Sequence, residues 1–264
     1  MNKKLISVNN KDVKAFYQLT LKSKHRKNSK TFLIEGLREI KLAINNNWVI
    51  KHFLYCPSII KEVDLDNSFN NEIEKIEVSL EVYQKLAYRK STEGVIAITN
   101  CKNHDLKNIK FKSNNPLIIV IEAPEKPGNI GAILRTADAA NIDTVIIANP
   151  KTDLYNPNII RSSVGSIFTN NICIGNTTEV ISLLKNKNIK IYASSLQADE
   201  LYHNQNYSKP CALIIGTEDK GISKEWSENS YKNVKIPMKG EIDSLNLSNA
   251  AAILIFEALR QRNF

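Results

Sequence analysis

Short, largely apolar runs recur at intervals from Pro116 to the end of the chain, and segments with helical patterning separate them. The runs lie at residues 117–121, 145–147, 189–193, 212–215 and 234–236. The helical segments lie at residues 129–140, 179–187, 223–231 and 248–260. Short apolar strands that alternate with helices are typical of a parallel sheet covered on both faces. We therefore predict an α/β domain over residues 116–264, with its ligand beyond the carboxyl ends of the strands.

A second, smaller α/β unit is indicated over residues 31–100. Strand-like runs and helical patterns alternate there. The strands are expected at 32–34, 48–55 and 94–99, and the helices at 37–43 and 83–87. Residues 101–115 are mostly polar and precede Pro116, which is typical of a linker between two domains.

The positive charge of the chain is concentrated at its beginning. The net charge is +9, and residues 1–30 contain nine Lys or Arg residues against one acidic residue, Asp12. The remaining residues are nearly balanced, with 27 basic and 26 acidic side chains. We interpret residues 1–30 as a basic arm for a polyanion, because neutralised phosphates release condensed counterions. A solvated, solubilising tail is the alternative, and a membrane surface is disfavoured because the apolar stripe is short.

Several classes of protein are disfavoured by what the sequence lacks. Four widely spaced cysteines without a C-x-x-C pair, and four histidines without metal-ligand spacing, predict no metal site and a reducing cytoplasm. No apolar run approaches the roughly 20 residues that span a bilayer, and no secretory signal is expected. A phosphate-binding loop, a dinucleotide-binding glycine motif and a serine-hydrolase elbow are missing, which disfavours an unrelated nucleotide-binding enzyme or a hydrolase.

Three loops of the larger domain have a composition suited to chemistry, and the first spans residues 122–137. An apolar stripe with helical spacing runs from Ile130 to Ala137, and Arg135 lies off this stripe. Because helical side chains lean toward the N-terminus, Arg135 should reach over Gly131, where open space lies beside a helix N-terminus that favours anions. A guanidinium there suits a phosphate or an oxyanion. A surface arginine after a glycine turn is the alternative.

The second loop runs from Gly216 to Gly221, after a strand of the buried type. We expect Gly216 to let a ligand approach the backbone closely. Glu218 and Asp219 stand where a parallel sheet presents its functional loops. An ordinary glycine turn with solvated acidic side chains is the alternative.

The third loop covers residues 236–248. Ser244, Asn246 and Ser248 alternate there with two leucines, so an extended chain would present hydrogen-bonding groups on one side and apolar groups on the other. Ser248 is also in position to cap the following helix. Such a loop suits an amphiphilic ligand with a flat ring and polar edges, whereas a polar loop before a core helix is the alternative.

In this order, the three loops resemble the motifs of the SpoU (TrmH-like) family of RNA 2′-O-ribose methyltransferases, within the SPOUT superfamily. The resemblance rests on residues 129–137 (Asn-Ile-Gly-Ala-Ile-Leu-Arg-Thr-Ala), 216–222 (Gly-Thr-Glu-Asp-Lys-Gly-Ile), 236–240 (Ile-Pro-Met-Lys-Gly) and 244–250 (Ser-Leu-Asn-Leu-Ser-Asn-Ala). It covers residues 116–264 continuously. Residues 31–100 are similar to the family's ribosomal-protein-like substrate-binding domain through residues 32–36 (Phe-Leu-Ile-Glu-Gly) and 94–97 (Gly-Val-Ile-Ala).

The resemblance implies an α/β fold in which a C-terminal SPOUT domain has a parallel sheet and a deep trefoil knot, which is an exception to the rule that chains avoid threading. A smaller N-terminal α/β substrate-binding domain precedes it. The resemblance also implies bound S-adenosylmethionine, an RNA substrate and a homodimer. By matching positions, the cofactor would be contacted by Gly216, Ile236, Met238 and Leu245. The reaction site would be lined by Asn129, Arg135, Glu218, Ser244 and Asn246.

The implied reaction is in-line attack of a ribose 2′-hydroxyl on the sulfonium methyl, and we expect Arg135 to orient that hydroxyl. The N-terminal domain favours ribosomal RNA of the 23S type as the substrate, because minimal tRNA-modifying relatives lack it. A tRNA methyltransferase, a drug-resistance enzyme acting on ribosomal RNA, and an RNA-binding protein that has lost catalysis are the alternatives.

Overall fold

The structure is a computed structural model, which describes residues 3–69, 73–89, 93–217 and 219–262. Its strands are β1 (Lys4–Leu5), β2 (Thr31–Glu35), β3 (Ile50–Tyr55), β4 (Glu74–Val78), β5 (Val95–Asn100), β6 (Leu117–Glu122), β7 (Thr144–Ala148), β8 (Ile172–Gly175), β9 (Lys190–Ser194), β10 (Glu200–Leu201), β11 (Cys211–Ile215) and β12 (Lys232–Lys235). Its α-helices are α1 (Lys11–Leu21), α2 (Ser23–Ser29), α3 (Leu37–Asn45), α4 (Glu62–Ser68), α5 (Leu80–Leu86), α6 (Pro127–Ala139), α7 (Pro157–Ser163), α8 (Thr177–Asn186), α9 (Lys224–Asn229) and α10 (Leu247–Gln261).

The chain divides into two compact units, each built around its own sheet. The N-terminal unit comprises Met1–Asn103 together with Asp153–Thr169, and the C-terminal unit comprises His104–Thr152 and Asn170–Phe264. This division differs from the expected one in two places. Residues 153–169 belong to the N-terminal unit, and most of the expected linker at 101–115 belongs to the C-terminal unit.

Aromatic contacts explain why residues 153–169 belong to the N-terminal unit. Phe32 stacks on Tyr155 with 4.3 Å between the ring centroids. The indole N–H of Trp48 donates a hydrogen bond to the carbonyl of Phe168, 120 residues further along the chain, at 3.1 Å. Local periodicity in the sequence carries no information about contacts over such separations, so the boundary was not visible from patterning alone.

The N-terminal unit contains a mixed sheet with strand order β1-β4-β3-β5-β2, in which β5 runs antiparallel to both β2 and β3. Its core includes Leu54, Ile76, Val82 and Ile96, and α1 adds Val13 to the same cluster. The predicted smaller α/β unit is therefore present. It extends beyond residues 31–100 because α1 packs into its core.

The basic N-terminal segment is folded, whereas a free arm was expected. Arg26 on α2 is only 3% exposed, and its guanidinium donates hydrogen bonds to the Asp153 carboxylate and to the carbonyl of Leu19. Other basic side chains of α1 and α2 are exposed: Lys11, Lys14, Lys24 and Lys27. These helices thus present a lysine-rich surface, which we call the α1–α2 lysine surface, while Arg26 serves the core.

The C-terminal unit confirms the predicted parallel sheet. Its seven strands pair in parallel in the order β10-β12-β9-β11-β6-β7-β8. Every residue of β6, β7 and β11 is buried, which explains their continuous apolar runs. The neighbouring strands β12, β9, β11 and β6 end side by side, at Lys235, Ser194, Ile215 and Glu122 respectively. This row of carboxyl ends positions the site described below.

Three expectations about composition can be compared with the described part of the chain. All four cysteines are free thiols. Among residues 3–69, 73–89, 93–217 and 219–262, no helix combines the length and apolar character needed to cross a membrane. Within the same ranges, no group of three or more His, Cys, Asp or Glu side chains is arranged to hold a metal ion.

Candidate active site

A cavity of about 270 Å³ lies at the carboxyl ends of β9, β11 and β12. The segments that follow these strands form most of its wall, and the start of α10 completes it. The lining residues are Ser194, Ser195, Leu196, Gln197, Ile215, Gly216, Thr217, Asp219, Lys220, Gly221, Ile222, Ile236, Met238, Ser244, Leu245, Leu247 and Ala250. This is the edge of the sheet at which parallel α/β folds generally bind their ligands.

The structure brings some of the predicted site residues together at this cavity. The four residues assigned to the cofactor all line it: Gly216, Ile236, Met238 and Leu245. Of those assigned to the reaction, Ser244 lines the cavity, whereas Asn129, Arg135 and Asn246 do not. Glu218 lies outside the described residues, so its assignment to the site stays a prediction.

Gly216 is required by the packing of the loop that follows β11. A Cβ atom at this position would lie 1.9 Å from the carbonyl oxygen of Gly221. The same loop is closed by two backbone hydrogen bonds between Thr217 and Gly221, of 3.0 and 2.9 Å. The backbone at Gly216 thus lies against the backbone at Gly221, which shapes one wall of the cavity. The close approach of a ligand to Gly216 stays a prediction.

The charge in the cavity comes from neighbouring residues of this loop. The Thr217 side chain donates a hydrogen bond to Asp219 and lowers the pKa of the Asp219 carboxyl below its usual 3.8, so this group is negatively charged at neutral pH. Lys220 lines the cavity beside it. Six of the other lining residues are leucine or isoleucine. Such a lining suits a ligand with a flat apolar ring, a cationic group and polar edges.

Asn246 links the third loop to the first. Its side-chain oxygen accepts hydrogen bonds from the backbone N–H and the hydroxyl of Ser248, at 2.9 and 2.6 Å, so Asn246 is the N-cap of α10. The expected cap, Ser248, instead lies inside the helix. The side-chain amide of Asn246 donates to the Oδ1 atom of Asn129 at 3.1 Å. Two of the residues assigned to the reaction are therefore in direct contact.

Arg135 lies on α6, six positions after Asn129, and its side chain is exposed. It makes no hydrogen bond or ion pair with any residue that the structure describes. Gly131 is buried, and α6 packs against α10. The open space that we expected beside Gly131 stays a prediction, and the exposed guanidinium of Arg135 is available to a substrate.

Two parts of the site were missed by reasoning from the sequence. Residues 194–197 line the cavity, and none of them was assigned to the site from the sequence. Their place after a buried strand of a parallel sheet was the signal that could have identified them. Glu122, at the end of β6, is buried and holds the start of α9. No local pattern distinguishes it from a solvated acidic residue in a loop.

Two family profiles match this chain. Residues 116–256 match the SpoU rRNA Methylase family, and residues 10–97 match the MRM3-like substrate binding domain. Because the first match spans more than half of the chain, the protein belongs to the SpoU rRNA methylase family. The resemblance described above is thereby confirmed. The second match begins within the basic segment, in agreement with the packing of α1 into the N-terminal unit.

Similarity to individual proteins extends along both units. The 23S rRNA (guanosine(2553)-2′-O)-methyltransferase RlmP of Bacillus subtilis is 28% identical over 254 residues, which are 96% of this chain and 98% of that protein. The SpoU methyltransferase AviRb from Streptomyces viridochromogenes, solved in complex with AdoMet, matches with a TM-score of 0.89 and 27% identity over 97% of this chain and 99% of that chain. An AdoMet-bound rRNA methyltransferase from Sinorhizobium meliloti matches with a TM-score of 0.88 and 29% identity, over 98% of this chain and 97% of that chain.

Proposed function

We propose that this protein transfers a methyl group from S-adenosylmethionine to the 2′-hydroxyl of a ribose in ribosomal RNA. The observation that carries the proposal is the cavity at the carboxyl ends of β9, β11 and β12, which is lined by all four residues assigned to the cofactor. Membership of the SpoU family supports the reaction. The relatives that match nearly the whole chain are named as 23S rRNA or rRNA methyltransferases or were solved with AdoMet bound, which supports the substrate and the cofactor.

The residues of the cavity fit S-adenosylmethionine. Apolar side chains such as Leu196 and Leu247 offer surfaces for a flat adenine, and the Asp219 carboxylate offers a partner for a cationic group. Gly216, Ile236 and Leu245 would hold the cofactor mainly through their backbone atoms. The bound cofactor supplies a methyl group on a positively charged sulfur, which is already electrophilic. The task of the protein is then to hold the two reactants in line.

Arg135 orients the attacking hydroxyl in this proposal. A guanidinium carries its positive charge at neutral pH, so it donates hydrogen bonds and is a poor proton acceptor. Arg135 therefore stabilises the negative charge that develops on the ribose oxygen, and a phosphate of the RNA accepts the proton. Asn129 and Asn246, which contact each other, hold the ribose or the Arg135 side chain. Ser244 and Glu218 keep their assignment to the reaction site as predictions.

The N-terminal unit binds the RNA in this proposal. The α1–α2 lysine surface provides the positive charge that attracts phosphates. Deleting residues 1–30 is a poor test, because it would remove Val13 and Arg26 from the core. Single charge changes on exposed lysines are the better probe.

The homodimer, the deep trefoil knot and the cytoplasmic location that follow from the resemblance belong to the same proposal. Analytical ultracentrifugation tests the homodimer, and we expect the sedimentation coefficient of a particle of two chains across a range of protein concentrations. A single chain at every concentration would contradict that part of the proposal.

Mapping of 2′-O-methylated nucleotides in cellular RNA, with and without the gene for this protein, tests the proposed function. We expect one modified position in the large ribosomal RNA to disappear when the protein is absent. Loss of a tRNA modification would instead identify the alternative substrate. An unchanged map, together with no binding of S-adenosylmethionine, would identify an inert RNA-binding protein and overturn the proposal.

A further inference from the structure

Glu122, the last residue of β6, is a buried carboxyl group next to the candidate active site but not on the wall of the cavity. Only 6% of the Glu122 residue is exposed to solvent. The backbone N–H of Ser223 donates to its Oε2 atom at 2.7 Å, and the hydroxyl of Thr177 donates to its Oε1 atom at 3.3 Å. Each carboxyl oxygen therefore has a donor from a different segment of the chain.

The surroundings of Glu122 favour a carboxylate over an amide. The Thr177 hydroxyl accepts a hydrogen bond from the side chain of Asn149 at 2.9 Å, so its own hydrogen is directed to Glu122. Ser223 is the N-cap residue of α9, and Thr177 is the first residue of α8. Donors at the starts of α8 and α9 thus converge on one buried acceptor. In a glutamine at this position, the amide NH₂ group would replace one of the two oxygens. It would then face the N–H of Ser223 or the hydroxyl of Thr177, and two donors cannot form a hydrogen bond with each other.

Glu122 also connects two parts of the candidate active site. On one side, Ser223 follows directly after Ile222, which lines the cavity and ends the loop that begins at Gly216. On the other side, the chain leaves Glu122 and enters α6 at Pro127, two residues before Asn129. One carboxyl group therefore fixes the far end of the cavity loop to the strand that leads to Asn129 and Arg135.

We infer that Glu122 is a positioning residue, which holds the loop after β11 in the shape that binds the methyl donor and sets its distance from α6. The inference rests on the proposed function. Glu122 touches neither reactant in this account. Its removal should weaken donor binding and slow methyl transfer, while binding of the RNA stays unchanged.

The test compares Glu122→Gln with a matched control at the opposite end of the same sheet. Asp143 is also buried, at 8% exposure, and its carboxylate accepts hydrogen bonds from the backbone N–H groups of Leu117 and Ser113, at 2.8 and 3.1 Å. Both variants, Glu122→Gln and Asp143→Asn, replace a buried carboxylate by an amide next to a backbone donor. A general loss of stability should therefore be similar in the two.

Calorimetry with S-adenosylmethionine and steady-state kinetics with ribosomal RNA give the readouts. For Glu122→Gln we expect about tenfold weaker donor binding and a lower kcat, with a KM for RNA within about twofold of wild type. For Asp143→Asn we expect donor binding and kcat within about twofold of wild type. If Glu122→Gln is poorly folded, Thr177→Val, which removes only one donor to Glu122, should show a smaller change in the same direction.

Three outcomes would overturn the inference. Equal losses of donor affinity in Glu122→Gln and Asp143→Asn would show that Glu122 only stabilises the fold. Unchanged donor affinity in both Glu122→Gln and Thr177→Val, in a wild-type protein that binds the donor and methylates RNA, would refute the inference and leave the proposed function intact. No donor binding by the wild-type protein would overturn both.

Discussion

The two units of this chain differ in how their folds are encoded along the sequence. The sheet of the C-terminal unit is all parallel, and β6, β7 and β11 are buried along their whole length. The sheet of the N-terminal unit is mixed, and its core includes Asp153–Thr169 from far along the chain. A strand buried on both faces produces a continuous apolar run, which is a local signal. Packing between segments that are far apart in the chain, as in the N-terminal unit, produces no such local signal.

The two units also differ in what they offer to ligands. The cavity, Asn129 and Arg135 belong to the C-terminal unit, whereas the α1–α2 lysine surface belongs to the N-terminal unit. The account therefore assigns donor binding and chemistry to the first, and RNA binding to the second. A substitution in one unit should change one set of properties and leave the other set unchanged.

The largest effect is expected from Arg135→Ala in the C-terminal unit. Loss of a charged donor that stabilises the developing oxyanion should lower kcat for methyl transfer by about 100- to 1000-fold. Arg135 is exposed, so the unfolding midpoint and the donor affinity should not change. Arg260→Ala is the control, because Arg260 is an exposed arginine on α10 that pairs with Glu257. Near-normal kcat in Arg135→Ala would contradict the role given to this guanidinium.

Arg26→Ala tests whether the N-terminal unit depends on the distant segment that contains Asp153. The change leaves a carboxylate at the site of a buried ion pair, so the free energy of unfolding should fall by about 3 to 5 kcal/mol. Chemical denaturation measures this loss. Lys27→Ala, at an exposed neighbouring position, should change it by less than about 0.5 kcal/mol. Equal effects of the two substitutions would mean that the ion pair adds nothing to this unit.

Gly216→Ala tests whether the loop after β11 depends on the close contact between the backbone at Gly216 and the carbonyl of Gly221. The added methyl group would meet the carbonyl of Gly221, so the loop must shift and affinity for S-adenosylmethionine should fall by about tenfold or more. Gly240→Ala is the matched control in the third loop, since a Cβ atom there meets nothing within 4 Å. Titration calorimetry compares the two variants, and unchanged affinity in Gly216→Ala would count against the description of this wall.

A smaller effect is expected from the double substitution Lys14→Gln and Lys24→Gln on the α1–α2 lysine surface. Each lost phosphate contact should reduce the slope of log binding constant against log salt by about 1. Affinity for S-adenosylmethionine should be unaffected, because the cavity lies in the other unit. Lys224→Gln, an exposed change on α9, is the control. An unchanged salt slope in the double variant would remove these helices from the RNA-binding surface.

The smallest effect concerns Glu35 in the N-terminal unit. Burial raises the pKa of Glu35 above its usual 4.5, although the backbone N–H groups of Tyr88 and Arg89 donate to it. Between the two pKa values the native protein holds a proton that the unfolded chain releases, so stability falls as pH rises through this interval. Denaturation midpoints at several pH values should show a shallower slope in Glu35→Gln. A slope equal to that of wild type would contradict the shift.

The sequence was informative wherever a structural feature is local. The apolar runs predicted the parallel sheet, and three short motifs identified the family and the four residues that now line one cavity. It was less informative where two residues compete for one role. Asn246 and Ser248 are both good helix caps, and only the three-dimensional course of the chain selects Asn246.

Other features depended on packing that no local pattern reports. Gly131 was expected to leave open space beside Arg135, and its burial in α6 was not foreseen. Gly216 was expected to lie close to a ligand, and its close contact with Gly221 was not foreseen. Glu122 was read as part of a loop, and its role depends on Thr177 and Ser223, which come from two other segments. In each case the residue was identified from the sequence, but the residues that it contacts in the folded chain could not be predicted.

The central claim is that the cavity of the C-terminal unit binds a methyl donor whose methyl group goes to a ribose oxygen. Incubation of the purified protein with S-adenosylmethionine and unmodified ribosomal RNA, followed by nucleoside mass spectrometry, tests it most directly. The account predicts one 2′-O-methylated nucleoside per RNA molecule, which disappears with Arg135→Ala. A methyl group on a base, or no methyl transfer by a protein that binds both reactants, would contradict it.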